Sequence, residues 1–267
     1  MGNAEPAATT GQPALLKIEQ IGSVLTVGLN RPAKRNALND GIILAIQDCF
    51  SDIPDGIGAV VIHGIGDHFS SGLDLSELTE HDATDGLRHS QMWHRVFDRI
   101  QYSRVPVIAA LKGAVIGGGL ELACAAHIRV AEPSAYFALP EGQRGSFVGG
   151  GGSVRLPRLI GVARMTDMML TGRVYSATEG ASYGFAQYLT GEGGAFAKAM
   201  ELAARVATNA PLTNFAVLQA LPMIAEANPQ TGLLMESLMA TVAQSDQEAK
   251  NRIRAFLDHK TAKVRPT

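Results

Sequence analysis

Three consecutive glycines, Gly117, Gly118 and Gly119, follow Val105 to Leu111, which reads as a buried strand, and precede Leu120 to Ala126, which reads as the start of a helix. That corner restricts the fold sharply. Glycine permits unusual φ values and close approach of the backbone to a ligand. The first N–H groups of a helix have no partner within it and, aided by the helix dipole, can donate to a negatively charged oxygen. A plainer reading has the glycines only letting the helix pack tightly on the strand. Glu121 and Glu141 stand close by, twenty residues apart (141 − 121), in otherwise apolar sequence. Burial there would disfavour their charged forms and raise their pKa values toward the range that suits proton transfer near neutral pH. In the alternative, each is a solvated helix or loop residue.

A second fragment bears on the choice. Phe69-Ser-Ser-Gly-Leu-Asp-Leu75 follows the strand-like Ala59 to His63, so Gly72 and Leu73 fall where a strand ends and a turn can aim N–H groups inward. With it come Leu29-Asn-Arg-Pro-Ala-Lys-Arg-Asn-Ala-Leu38, Gly113-Ala-Val-Ile-Gly-Gly-Gly-Leu-Glu121, Phe137-Ala-Leu-Pro-Glu141 and Gly149-Gly-Gly-Gly-Ser-Val-Arg-Leu156. In order and spacing these five motifs, covering residues 13 to 190, resemble the crotonase superfamily, also called the enoyl-CoA hydratase/isomerase family.

The resemblance implies a site residue by residue. The oxyanion-hole N–H donors, which hold an acyl-CoA thioester oxygen, fall on Leu73 and Gly118. The catalytic glutamates fall on Glu121 and Glu141, and the glycine that helps to hold the attacking water on Gly149. Backbone around Arg35, Ala37, Ser71, Asp74 and Leu75 matches segments that cradle the adenine and pantetheine of coenzyme A, and Gly72, Gly117 and Pro140 join them as substrate-binding positions. The implied fold is α/β, a crotonase-like spiral of repeated ββα units with a C-terminal helical trimerisation region. The implied activity is hydration of a 2-enoyl-CoA in fatty acid metabolism.

The chemistry fits that arrangement. When water adds at C3 of an enoyl thioester, negative charge gathers on the carbonyl oxygen, and two preorganised N–H donors stabilise it. One carboxylate takes a proton from water and another delivers one to C2. The resemblance gives Glu121 the base role and Glu141 the acid role. A Δ3,Δ2-enoyl-CoA isomerase, which needs one base, and a hydroxycinnamoyl or aromatic acyl-CoA hydratase-lyase are the alternatives within the fold. An idle acyl-CoA-binding scaffold would need the donors but neither carboxylate.

The chain departs from the family at His127, where members commonly have aspartate; because it opens the strand-like His127 to Ala131, it reads as a structural substitution. The C-terminal signature is also loose, which puts in doubt a basic contact near Lys260 to the coenzyme A phosphates.

The remaining features exclude other classes. A formal charge of −2 gives no reason to expect nucleic acid. With 46% hydrophobic and 18% charged residues the 267-residue chain suits a soluble protein with a large core and no membrane partner. Cys49 and Cys124 read as reduced core residues, which suggests the cytoplasm. Gly149 to Gly152 lacks the Lys and Ser/Thr of a phosphate-binding loop. His81, His89 and His94 lack metal-ligand spacing, and Ser70 and Ser71 lack a nucleophile-elbow context. The expectation is therefore no metal and no cofactor, coenzyme A being part of the substrate.

Along the chain, residues 1–12 read as a flexible tail and 13–210 as the spiral core with the acyl-CoA site. Leu15 to Glu19 and Val24 to Leu29 predict a hairpin across Gly22, and Asn39 or Asp40 caps a helix. Asp82 to Gln101 is amphipathic, with Met92, Trp93, Val96, Phe97 and Ile100 on one side; Met92 and Trp93 read as core or as a border of the acyl pocket. Ser176 and Glu179 form a capping box. Residues 211–267 are helical only, and their apolar surplus predicts packing on neighbouring chains as a homotrimer or a hexamer of two trimers.

Overall fold

The computed structural model describes residues 14–77 and 82–258. The expected tail at 1–12, His81 and Lys260 lie outside the described residues. β1 (Leu16–Ile21) and β2 (Val24–Leu29) form the hairpin, its turn at Gly22 with φ of 60°. Asn39 caps α1 (Asp40–Ser51), its side chain accepting from the Ile42 N–H. β3 (Ala59–Gly64) and α2 (Ala83–Gln101) follow, then β4 (Val107–Leu111), β5 (Ala114–Ile116), α3 (Gly118–Ala125), β6 (Ile128–Ala131), β7 (Tyr136–Ala138), α4 (Gly152–Ile160) and α5 (Val162–Thr171). β8 (Tyr175–Ser176), α6 (Ala177–Tyr183), β9 (Tyr188–Leu189) and α7 (Ala195–Ala207) complete the mixed region. The capping box of Ser176 and Glu179 starts α6.

Two sheets result. The larger has the order β1-β2-β3-β4-β6-β9 and is parallel from β2 onward; the smaller is β5-β7-β8. Isolated bridges between Ser70 and Val115 and between Leu38 and Leu73 extend the smaller sheet toward the start of the chain. Four successive ββα units thus give their first strand, β2, β3, β4 and β6, to the larger sheet and their second, shortened in the first two units to isolated bridges, to the smaller. The chain advances as a spiral.

Packing follows from strand alternation. Val60 and Ile62 of β3 join the larger core cluster, which includes Phe69, Phe97 and Phe137, while Ala59 and Val61 face the opposite side against Ala199, Leu202 and Ala203 of α7. β2 and β4 are buried along their whole length, as strands covered on both faces require.

His127 is structural, as its position before β6 predicts. The Val107 N–H can only donate, so His127 Nδ1 accepts it at 2.9 Å, and the ring proton lies on Nε2, 2.9 Å from the Gln101 carbonyl. Burial lowers its pKa, so the neutral ring persists. Arg129, also buried, donates from Nε to the Phe185 carbonyl and from Nη1 to that of Ala126, at the ends of α6 and α3, where a cation is favoured.

Beyond Ala210 the described chain is helical: α8 (Pro211–Phe215), a π-helical turn at Ala216–Ala220, α9 (Leu221–Glu226), α10 (Pro229–Ser245) and α11 (Gln247–Leu257). Leu233, Leu234 and Leu238 of α10 are exposed. Among the described residues no helix is long and apolar enough to cross a membrane.

Candidate active site

Three successive turns of the spiral bring their second strands to one place. Leu73 follows Ser70 in the second unit, Gly118 follows β5 in the third, and Glu141 follows β7 in the fourth. Around them is a cavity of about 880 Å³.

The Leu73 N–H is aimed by its bridge to Leu38. Leu38 bonds the Gly72 carbonyl and the Asp74 N–H, so the polar groups of the intervening Leu73 point the other way. Gly118 is the first residue of α3, where an N–H has no helical partner. Neither N–H meets an acceptor among the described residues. The two nitrogens are neighbours: a methyl placed on Gly72 would lie 3.2 Å from Gly118 N, and one on Gly118 would lie 3.6 Å from Leu73 N.

Gly117 has φ of 52° and ψ of −126°, a conformation that side chains resist. A methyl there would fall 2.5 Å from Glu141 Oε1. The triple glycine therefore has three separate duties: Gly117 turns the chain beside Glu141, Gly118 presents an N–H, and Gly119 packs on Ser70, 2.7 Å from where its methyl would be.

Glu121, one turn into α3, is buried, and its Oε1 accepts from the N–H groups of Gly150 (2.8 Å) and Gly152 (2.7 Å). The glycine run exists for this approach, since a methyl on Gly152 would meet Glu121 Cγ at 2.8 Å. Burial raises the Glu121 pKa, against the opposing pull of those two N–H groups and of Arg155. Arg155 holds the loop itself, donating to the Gly150 carbonyl at 3.0 Å and to Asp98 and Gln101 of α2 at 2.5 and 2.6 Å. Ser90, also of α2, donates to the Gly149 carbonyl at 2.7 Å.

Glu141 differs. It is half-buried, its Oε2 is shut off from solvent, and that oxygen has no hydrogen-bond partner among the described residues. Burial raises its pKa, and the Glu121 charge adds to the rise. An ionised oxygen without a donor is costly, so the neutral acid, or a ligand that offers a proton, suits this place.

These features sit within a chain whose relatives are numerous. The family model described as enoyl-CoA hydratase/isomerase matches residues 19–265. The chain belongs to the enoyl-CoA hydratase/isomerase family. Among solved structures, the "putative enoyl-CoA hydratase" of Rhodopseudomonas palustris is 80% identical, with a TM-score of 0.91, covering 97% of this chain and 100% of that one. The 2,3-dehydroadipyl-CoA hydratase of Escherichia coli is 33% identical over 89% of this chain and 93% of its own. The short-chain-enoyl-CoA hydratase of Clostridium acetobutylicum is 30% identical over 90% and 94% respectively. The chain is an enzyme of the crotonase type, with the fold that its motifs predict.

Of the positions that the family motifs single out, Ser71, Gly72, Leu73, Leu75, Gly117, Gly118, Glu121, Pro140, Glu141 and Gly149 line the cavity. Arg35, Ala37 and Asp74 do not. The Arg35 carbonyl accepts the Ser71 N–H, which lays that segment alongside the cavity edge. The Asp74 carboxylate is engaged with Arg31 at 2.9 Å and Lys34 at 3.0 Å. Burial works to raise its pKa, but bonds from Ser76, Lys34 and Arg31 outweigh that and hold it well below the usual carboxylate range.

Sequence reasoning missed the loop that holds Glu121. Gly150 and Gly152 were visible only as part of a glycine run, Arg155 stood in the same motif with no role attached to it, and Ser90 lay in none of the motifs. Trp93 lines the cavity as well as packing in the core. Met92 is partly buried against the core and lies outside this cavity. Among the described residues, no group of three or more His, Cys, Asp or Glu is placed to hold a metal ion.

Proposed function

We propose that this chain is an enoyl-CoA hydratase, adding water reversibly and syn across the double bond of a 2-enoyl-CoA to give the 3-hydroxyacyl-CoA. The observation that supports it is two carboxylates with raised pKa values facing one cavity beside two unpartnered N–H donors. In this reading Leu73 N–H and Gly118 N–H bind the thioester oxygen, whose charge grows as water attacks. Glu121, anchored through Oε1, uses Oε2 to take a proton from water as its oxygen bonds C3, helped by Gly149. Glu141 gives its proton to C2. One proton is gained by Glu121 and one lost by Glu141, and the next turnover requires their return through solvent.

Hydration at this site draws every proton and charge from these groups, so the proposal invokes no metal or redox cofactor. Coenzyme A arrives with the substrate, against Ser71, Gly72, Leu75, Gly117 and Pro140 and the backbone around Arg35, Ala37 and Asp74. An isomerase needs one base, and the second carboxylate at the cavity favours hydration. The exposed apolar residues of α10 and α11 support a homotrimer or hexamer. The free Cys49 and Cys124 support a cytoplasmic location.

The test is direct. Purified protein is given crotonyl-CoA and, separately, 3-hexenoyl-CoA. Loss of the conjugated thioester absorbance with formation of 3-hydroxybutyryl-CoA is the expected result. Conversion of the 3-enoyl ester alone would replace hydration with isomerisation.

A further inference from the structure

Trp93 lies at the point where the two halves of the site meet. A methyl placed on Gly118 would fall 2.7 Å from its Cζ3, and one placed on Gly150 would fall 3.2 Å from its Cε3. Those are adjacent atoms on one edge of the indole. The same edge therefore runs from the proposed oxyanion donor to the glycine whose N–H holds Glu121, alongside the path from the thioester carbonyl to C3 of a bound enoyl group.

The ring is fixed there. Its Nε1 lies 3.2 Å from His89 Nε2, which also meets Asp40 Oδ1 at 2.9 Å, and Phe97 stands behind it edge-on, 5.6 Å between ring centres. It is 4% exposed although it lines the cavity. A side chain clamped between two glycine backbones, the His89 ring and the Phe97 ring cannot swing aside for a larger ligand without breaking that packing.

We propose that Trp93 is the specificity-determining residue of the acyl site, the wall that an acyl group meets beyond C3, and that it restricts the enzyme to small acyl groups. This rests on the hydratase reading above. The oxyanion donors fix the carbonyl, and Glu121 and Glu141 fix C3 and C2, so further acyl carbons have to occupy space beside the indole. Replacing the indole by a smaller side chain enlarges that space without touching a donor or a carboxylate.

The experiment compares the unaltered enzyme with Trp93→Ala and Trp93→Leu. Hydration is measured for crotonyl-, 2-hexenoyl-, 2-octenoyl- and 2-decenoyl-CoA, and affinity is measured by calorimetry for the saturated butyryl- to decanoyl-CoA series. For the unaltered enzyme, kcat/KM and affinity should fall along both series. In the variants the ratio of decenoyl to crotonyl turnover should rise about 10-fold or more, the scale on which a pocket discriminates small changes in apolar bulk. The affinity series should shift in the same direction. Parallel profiles in the unaltered and variant proteins would overturn the assignment. The affinity series tests the wall even where no ester is hydrated, an outcome that would count against the hydratase reading alone. Trp93→Leu retains apolar bulk in the core and serves where Trp93→Ala does not fold.

Discussion

Glu121 and Glu141 face one cavity in opposite states: Glu121 Oε1 accepts two backbone N–H groups, and Glu141 Oε2, though buried, accepts none from the described residues. Glutamine in place of Glu121 keeps an oxygen for both N–H groups but cannot take a proton. Glutamine in place of Glu141 cannot give one up as a carboxylic acid does. Each substitution should lower crotonyl-CoA hydration by about 100-fold or more with little change in affinity for a saturated acyl-CoA. Steady-state kinetics with calorimetry checks this; full activity in Glu121→Gln would leave a one-base reaction as the better account.

The same pair sets a pH dependence of stability. Both pKa values are raised in the folded protein, so between the ordinary and raised values the folded chain holds more protons than the unfolded one. Stability is then greatest below the ordinary glutamate range and falls as pH climbs through that window. The lowered pKa of His127 acts with the opposite sign, reducing stability as pH falls through the ordinary histidine range. Melting temperatures from acid to neutral pH for wild type and Glu121→Gln/Glu141→Gln isolate the glutamates. The double variant should melt higher near neutral pH, with a flatter acid-side profile.

Gly118→Pro removes the proposed donor while placing proline at the first position of α3, where helices accept it. Its ring would collide with Trp93, so the informative comparison is Trp93→Ala with and without Gly118→Pro. Adding proline should lower turnover by about 100- to 1000-fold while circular dichroism stays unchanged. Retained turnover would remove Gly118 from the oxyanion hole.

Arg155→Met should act at a distance. It leaves the buried Gly150 carbonyl without its donor, at about 1–3 kcal/mol of stability, and releases the half-buried Gln101 side chain. It also frees the loop that holds Glu121, so kcat should fall more than affinity for a saturated ester. Thermal melts and kinetics together separate the two effects.

The apolar faces of α10 and α11 predict association, with Leu233 64% exposed and Leu257 68%. Light scattering should return three or six times the 28.2 kDa chain mass. A monodisperse species at the single-chain mass would refute it.

Much of this was legible in the sequence because the signals are local. The strand read at Val105 to Leu111 and the helix read around Glu121 are β4 and α3, because each is a run of neighbouring residues; β5, which stands between them, and the start of α3 at Gly118, inside the triple glycine, were not readable. His127 was readable as structural because it stands next to a strand. The support of Glu121 was not legible: Ser90 and Arg155 reach Gly149 and Gly150 from separate helices, and Asp98 and Gln101 complete the set only in the folded chain. That Arg35, Ala37 and Asp74 share a backbone neighbourhood with the cavity without lining it was likewise legible only in the folded chain.

One consequence of the Ser90 and Arg155 bonds concerns how the site fails. Helix α2 bonds two adjacent carbonyls of the glycine loop, that of Gly149 through Ser90 and that of Gly150 through Arg155 of α4, and the loop bonds the carboxylate, so the alignment of Glu121 depends on α2 as well as on α3, which carries it. A small slide of α2 would be transmitted to the reacting oxygen while both sheets stayed intact. Alignment of the catalytic groups and integrity of the fold are thus separable properties of this molecule, and heat, denaturant or a poorly fitting acyl group could abolish the first well before the second.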